Sequence, residues 1–307
     1  MPTYAVIDLG SYTAKLTIAD VDKRVSIIKK EECSIGLGQG FQEDKLLNPK
    51  AINSAVDVIS KWQDQVKQYN VVRVGIFATG VSQSARNRDQ LVSSVLRETG
   101  LTLQILSEED EARVLFRGVV GDFPKGFTFV VLNIGGSTTR LIIGEKNEII
   151  QLYCIHKGTI ELNKLLLSDP PTDDEITALR NTIDKSFRKI SFRNTLKNPV
   201  LIHTGGELDY VLSTGCKVEK STLSPTHPYR VMLSDFEMFA QRMQKLKKEE
   251  LRSFKPDNPR WMDGAIASNT IAIHIARKFA FIEFIPSNRN ITDGFLLTLQ
   301  QTSMHPI

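Results

Sequence analysis

The densest acidic run in the chain is Ser107-Glu108-Glu109-Asp110-Glu111-Ala112-Arg113. Ser107 is a natural helix cap, and Asp110, three residues on, can close a capping box. Carboxylates in a helix's first turn ordinarily complement the dipole and stay in water. That accounts for Glu108 and Glu109. Glu111 lies one turn in, where it either shares the solvated role or faces a cleft and takes a proton from an attacking water as general base. A second chemistry is written in small residues. Gly10-Ser11-Tyr12-Thr13 and Gly135-Gly136-Ser137-Thr138 are glycine turns with hydroxyls. Their backbone N–H groups and side-chain donors suit phosphate oxygens, and glycine there allows positive φ and close backbone approach. Thr79-Gly80 and Thr204-Gly205-Gly206 follow apolar strands. They can add donors at the carboxyl ends of those strands, where α/β sheets bind ligands. Asp8 ends an apolar run beside the first turn. It either caps that turn or holds a divalent cation through water next to a phosphate.

Other chemistries are excluded. No GxxxxGK[ST] string exists, so an ordinary P-loop is absent. Gly36, Gly38 and Gly40 give GxGxG rather than the dinucleotide fingerprint and read as a flexible loop. His156, His203, His227, His274 and His305 are scattered without metal-ligand spacing, and His203, just before Thr204, either lines the cleft or is a hydrogen-bonded structural histidine. Cys33, Cys154 and Cys216 form neither a disulfide framework nor a zinc pattern, which fits a reducing cytoplasm. There is no GxSxG elbow.

The elements that position these residues repeat. Val6–Asp20 (VIDLGSYTAKLTIAD) aligns with Val131–Glu145 (VLNIGGSTTRLIIGE) at an offset of 125 residues, with Val6/Val131, Gly10/Gly135, Thr13/Thr138, Leu16/Leu141 and Ile18/Ile143 identical. The same offset brings Thr79-Gly80 onto Thr204-Gly205. Shared offsets of this kind indicate an internal duplication. Each half opens with an apolar strand (Tyr4–Leu9, Phe127–Ile134), a glycine turn and an alternating second strand (Thr13–Ala19, Thr138–Gly144). In the first half Asn48 and Pro49 open a helix with the stripe Ile52, Val56, Ile59, Trp62, Val66 and Tyr69. A strand over Val71–Ala78 and a helix over Arg88–Thr99 follow. In the second half Pro171–Ile190 reads as a helix. Ser234 with Glu237 reads as a capping box opening a helix to about Ser253, with Phe236, Phe239, Met243 and Leu246 inward.

Length and composition agree with this reading. The chain has 307 residues, 41% hydrophobic and 24% charged, which suits two globular domains. We expect an N-terminal α/β domain over 1–124 and a C-terminal α/β domain over 125–307, divided near the turn-rich Asp122–Gly126, with the last helix able to pack back on the first domain. A cleft between two related halves is the expected ligand site. The net charge of +4 does not call for a nucleic-acid partner but tolerates an anionic substrate. No run reaches the roughly 18 apolar residues of a membrane span. Asp8 interrupts the N-terminal apolar run, so neither a signal peptide nor a membrane partner is expected.

Together these strings resemble the exopolyphosphatase / guanosine pentaphosphate phosphohydrolase (Ppx/GppA) family. The matching segments are VIDLGS (Val6–Ser11), ATG with ARN (Ala78–Asn87), ILSEEDEARVLFRGV (Ile105–Val119) and NIGGSTTRLIIG (Asn133–Gly144). The resemblance spans most of the chain. It implies a fold of two duplicated ribonuclease H-like domains of the actin, Hsp70 and sugar-kinase type, with an interdomain cleft. It implies release of terminal phosphate from polyphosphate or guanosine pentaphosphate, with Mg²⁺ assistance and Glu111 as the base. The carried-over site is Asp8, Gly10, Ser11, Thr79, Glu111, Gly135, Gly136, Ser137, Thr138 and Gly205, with Asp8 as the metal ligand. Family members often form homodimers.

The chain also departs from the family pattern. A usual Asp is Asn133, and a usual Glu is Arg140, which can bind an anion bidentately and partly replace a cation. Family arginines correspond to Gln83 and Thr292. Ser137 replaces a glycine and adds a Cβ where a turn can want positive φ. Two alternatives therefore stand beside the hydrolase: a non-catalytic sensor of phosphate or nucleotide anions, and an actin-like or kinase-like ATPase, which the acidic helix disfavours.

Overall fold

The computed structural model describes residues 1–304 except 23–24, 42–43, 147 and 193–195, and the side chains of 302–304 are left aside; His305 lies outside these residues. The chain divides into two compact units, Met1–Gly118 with the segment from Ile291 onward, and Val119–Asn290. Asp122–Gly126 thus falls within the second unit.

In the first unit, β1 (Thr3–Leu9), β2 (Thr13–Val21) and β3 (Val25–Ser34) are followed by α1 (Pro49–Val66), β4 (Arg73–Ala78), α2 (Val81–Ser84), α3 (Arg88–Thr99), β5 (Leu103–Ile105) and α4 (Glu108–Val120). The sheet order is β3-β2-β1-β4-β5. The first three strands form an antiparallel meander, and β4 and β5 continue parallel to β1. A parallel step needs a crossover helix, which α1 supplies. Its start is set locally, since the Asn48 side chain accepts the Lys50 N–H at 2.9 Å ahead of Pro49. Ile52, Val56, Ile59, Trp62 and Val66 are then buried on one face.

The second unit contains β6 (Thr128–Ile134), β7 (Thr139–Glu145), β8 (Glu148–Ile155), α5 (Thr159–Leu162), α6 (Asp173–Phe187), β9 (Pro199–Thr204), α7 (Glu207–Ser213), β10 (Glu219–Ser224), β11 (His227–Met232), α8 (Leu233–Met243), α9 (Lys248–Ser253), α10 (Ala265–Lys278) and β12 (Glu283–Ser287). Its sheet runs β10-β11-β12-β9-β6-β7-β8. Read from β8 to β12, this repeats the first sheet strand for strand, with β9 parallel to β6 and β12 parallel to β9. The β10–β11 hairpin extends one edge. Both units therefore have the expected duplicated α/β plan. The final helix, α11 (Ile291–Met304), packs on the first sheet through Phe295, Leu296 and Leu299.

Two helices differ from expectation. The one expected at Pro171 begins at Asp173, because Thr172 takes the cap: its hydroxyl accepts the Glu175 N–H at 3.3 Å and Glu175 Oε2 accepts the Thr172 N–H at 2.9 Å. The box expected from Ser234 and Glu237 gives way to a helix that starts at Leu233, and Glu237 pairs with Arg277 at 2.6 Å instead. That helix ends at Met243, and α9 opens anew where Glu250 Oε2 accepts the Lys247 N–H at 2.8 Å. No helix among the described residues is long and apolar enough to cross a membrane.

Candidate functional site

Strand alternation places the first acid. Ala5, Ile7 and Leu9 point into the core with Ile52, Ile59 and Leu91, whereas Tyr4 and Val6 point into the other core with Phe77, Phe295 and Leu296. Asp8 continues this second face, and Val114 of α4 packs against the same cluster. Asp8 and α4 therefore share one side of the sheet. Asp8 is half-buried. Burial pushes its carboxyl up to about 7; Lys15, its cross-strand partner on β2, opposes this, while Glu111 and Glu32 add to it.

The acidic helix sorts its carboxylates by exposure. Glu108, Glu109 and Asp110 are exposed, but Glu111 is only 9% exposed. The Ser107 hydroxyl accepts the Asp110 N–H at 3.1 Å and donates to Asp110 Oδ2 at 2.7 Å, so Asp110 takes the cap's hydroxyl. Arg113 reaches Asp110 and Glu109 at 2.9 and 3.3 Å in water. Glu111 instead accepts a hydrogen bond on Oε2 from Gln83 Nε2 at 2.8 Å. The helix is held from behind by α11. A Cβ on Gly294 would lie inside contact distance of the Val114 carbonyl oxygen.

The first glycine turn closes with Gly10 N–H donating to Thr13 O at 2.9 Å. Its outer carbonyls are occupied: Ile35 and Gly36 donate to Tyr12 O at 2.9 and 3.0 Å, and Gly38 donates to Ser11 O. In a trans peptide the N–H points opposite to the C=O. Fixing these two carbonyls turns the Tyr12 and Thr13 N–H groups to the opposite side. The GxGxG segment expected to be a flexible loop is thus the brace of the turn. Ser11 Oγ accepts the Val81 N–H at 3.1 Å and joins the turn to α2. Gly80, at φ +63°, passes so close to Ser11 Oγ that a Cβ has no room. Thr79 N–H donates to Leu9 O at 3.0 Å and sets that segment beside the turn.

The second turn closes in the same way, with Gly135 N–H donating to Thr138 O at 2.8 Å. Here the start of α5 is the brace, as Thr159 and Ile160 donate to Gly135 O and Gly136 O at 3.0 and 2.9 Å. The Gly136 and Ser137 N–H groups are thereby turned the other way. Gly158 fits only as glycine, because its Cβ would overlap both of those carbonyls. Asn133 on β6 faces Arg140 on β7, and Asn133 Nδ2 lies 3.4 Å from where a Cβ on Gly205 would sit. Thr204 Oγ1 donates to the Arg289 carbonyl. His203 and Glu207, both buried, lie 3.2 Å apart beneath the Gly205-Gly206 bend.

The reason for glycine differs from expectation. Positive φ occurs at Gly80, Gly205 and Gly206 but not at Gly10, Gly135, Gly136 or Ser137. In the two turns close approach, rather than φ, favours glycine. A Cβ on Gly10 would sit 3.2 Å from Thr13 O, one on Gly135 3.1 Å from Thr138 O, and one on Gly136 2.8 Å from Ile160 Cδ1. Ser137 is exposed and meets no such limit.

The first unit thus gathers Asp8, Gly10, Ser11, Thr79 and Glu111, and the second gathers Gly135, Gly136, Ser137, Thr138, Arg140 and Gly205. Sequence reasoning missed Gln83 as a partner of Glu111, and it missed Gly158 and Gly294, whose neighbours are remote in sequence or carry no motif. Among the described residues no group of three or more His, Cys, Asp or Glu side chains could hold a metal ion. Magnesium requires less, namely one or two carboxylates with water and substrate phosphates. Asp8, with its ionisation suppressed by burial and by Glu111, has the chemistry to accept such a cation.

The model of the Ppx/GppA phosphatase family matches residues 17–303. The chain is 24% identical to Exopolyphosphatase 2 of Mycobacterium tuberculosis over 96% of this chain and 98% of that protein. It is 27% identical to the guanosine-5'-triphosphate,3'-diphosphate pyrophosphatase of Aeromonas hydrophila over 52% of this chain and 32% of that longer protein. The crystal structure of the Aquifex aeolicus Ppx/GppA family member superposes with a TM-score of 0.85 at 21% identity, covering 99% of both chains.

Proposed function

The chain belongs to the Ppx/GppA phosphatase family, and from that premise we propose that it releases the terminal phosphate of inorganic polyphosphate or guanosine pentaphosphate, with Glu111 as general base. The observation that carries this reading is the sorting of one acidic helix: its other first-turn carboxylates are in water, whereas Glu111 is buried beside Asp8 and held by Gln83. In the reaction Glu111 accepts a proton from water, and the water oxygen bonds to the terminal phosphorus. The bridging P–O bond breaks, and its electron pair leaves with the shortened phosphate chain. Phosphoryl transfer asks a protein mainly for positioning and charge neutralisation. Within the first unit the Tyr12 and Thr13 N–H groups, turned away from their braced carbonyls, are available as donors to phosphate oxygens; within the second, the Gly136 and Ser137 N–H groups offer the same donors and Arg140 a positive charge. Asp8 is the residue that would hold magnesium, which supplies further neutralisation of phosphate charge when bound.

The test is phosphate release from long-chain polyphosphate and from guanosine pentaphosphate, with and without Mg²⁺, by the native chain and by Glu111→Gln. Turnover is expected to fall about 10²-fold or more in the variant. Unchanged turnover removes Glu111 from the mechanism. One observation favours a second reading: in the second unit an amide, Asn133, faces Arg140, a pairing suited to retaining an anion. If the native chain releases no phosphate yet binds the same anions, it is a sensor.

A further inference from the structure

We propose that Gln83 is a positioning residue that ties the base Glu111 to the first phosphate turn, an inference that rests on the hydrolase reading above. Gln83 Nε2 donates to Glu111 Oε2 at 2.8 Å. Its short helix is fastened on several sides. Val81 N–H donates to Ser11 Oγ at 3.1 Å, Gln83 N–H donates to Gly80 O at 3.1 Å, and Arg88 Nη1 donates to Gln83 O at 3.2 Å. Ser11 belongs to the Gly10–Thr13 turn. A hydrogen-bonded path therefore runs within one unit from the phosphate turn, through α2 and the Gln83 amide, to the carboxylate of the base.

The path matters because the base must be held in place. A glutamate side chain is flexible, and fixing it costs conformational entropy. A donor carried on an anchored helix fixes the carboxylate's rotation before substrate arrives. Placement at this level is costly to lose, since an error of about 1 Å in a reacting group can lower a rate about 10²-fold. The bond is part-buried, so water competes with it less than at the surface.

The test compares Gln83→Met, which keeps length but lacks the donor, with Gln83→Arg, which regains an N–H at similar reach. With the substrate that the native chain turns over, Gln83→Met is expected to lower kcat about 10- to 100-fold while KM stays within about twofold. The turn N–H groups are untouched in this variant. Gln83→Arg is expected to recover most of kcat. An unchanged kcat in Gln83→Met, with Glu111→Gln inactive, overturns the inference and leaves the hydrolase reading standing. A fall in kcat that Gln83→Arg does not reverse, or that comes with an equal rise in KM, also overturns it, because loss of local structure then suffices. Full turnover in Glu111→Gln removes the hydrolase role of Glu111, and the inference with it.

Discussion

The two glycine turns share a backbone and differ in side chains. Gly10 N–H reaches Thr13 O at 2.9 Å, and Gly135 N–H reaches Thr138 O at 2.8 Å. Each is followed by a strand whose second or third residue faces the penultimate residue of the strand before the turn: Lys15 opposite Asp8, and Arg140 opposite Asn133. The first unit thus retains a carboxylate opposite a cation, with Glu111 close enough to perturb it. The second unit has an amide, Asn133, at the matching position. The backbone geometry of these turns needs only small residues and braced carbonyls, and both units have it. Proton chemistry needs specific acids, and of the two paired positions only the first unit's carries one. The braces differ too. Ile35, Gly36 and Gly38 fasten the first turn, and the Gly158-Thr159-Ile160 segment fastens the second.

The sharpest break of this comparison is Gly158→Ala. Its Cβ would overlap two turn carbonyls, so the second turn must move, and kcat/KM for phosphate release should fall about 10²-fold. Gly38→Ala in the other brace meets its neighbours at 3.2–3.3 Å, and its loss should be several-fold smaller. Equal effects would mean that the braces do not set the turns.

Next in size is Arg140→Gln. If the second turn serves mainly to bind, KM should rise about tenfold, the scale of a charged hydrogen bond, with kcat nearly unchanged. A fall in kcat at constant KM would assign the second turn to the transition state instead.

Opposite pH responses sharpen the contrast further. Asp8 has its carboxyl raised from 3.8 to about 7. Above pH 4 the unfolded chain loses this proton while the folded unit retains it, so first-unit stability falls as pH rises toward 7 and then levels. In the second unit His227 is 1% exposed, with Nε2 at 2.8 Å from Ser287 Oγ and Nδ1 at 3.0 Å from Thr226 Oγ1. Burial, with the Arg289 charge adding to it, lowers its imidazole from 6.5 to about 4. The unfolded chain gains this proton first as pH drops, so second-unit stability falls from about pH 6.5 toward 4. Each effect is on the order of 1–4 kcal/mol. Denaturant unfolding in EDTA across pH 4–8 should show Asp8→Asn flattening the alkaline loss and His227→Gln flattening the acid loss. A native profile without either slope would show that neither group titrates as its burial implies. The smallest effect belongs to Ser137→Gly. Ser137 does not have positive φ, so glycine should gain nothing and cost about 0.5–1 kcal/mol of stability through backbone entropy. A stabilised variant would restore the idea that this turn wants positive φ.

What the amino-acid sequence determined by itself is local or repeated. Apolar alternation and the 125-residue offset were enough for two α/β halves, because strand and helix periods are written in neighbouring residues. Asn48 and Pro49 marked the start of α1, and the place of Glu111 one turn into its helix separated it from Glu108 and Glu109. The tertiary structure alone decided what depends on segments meeting from afar. Thr172 took the cap expected near Pro171, and Arg277 drew Glu237 away from the cap expected at Ser234. Gly158 and Gly294 are glycines because carbonyls of Gly135, Gly136 and Val114 lie against them. Gln83 finds Glu111 across 28 positions. No pattern in either stretch announces the other, since the bond exists only once packing has brought a four-residue helix against the acidic one.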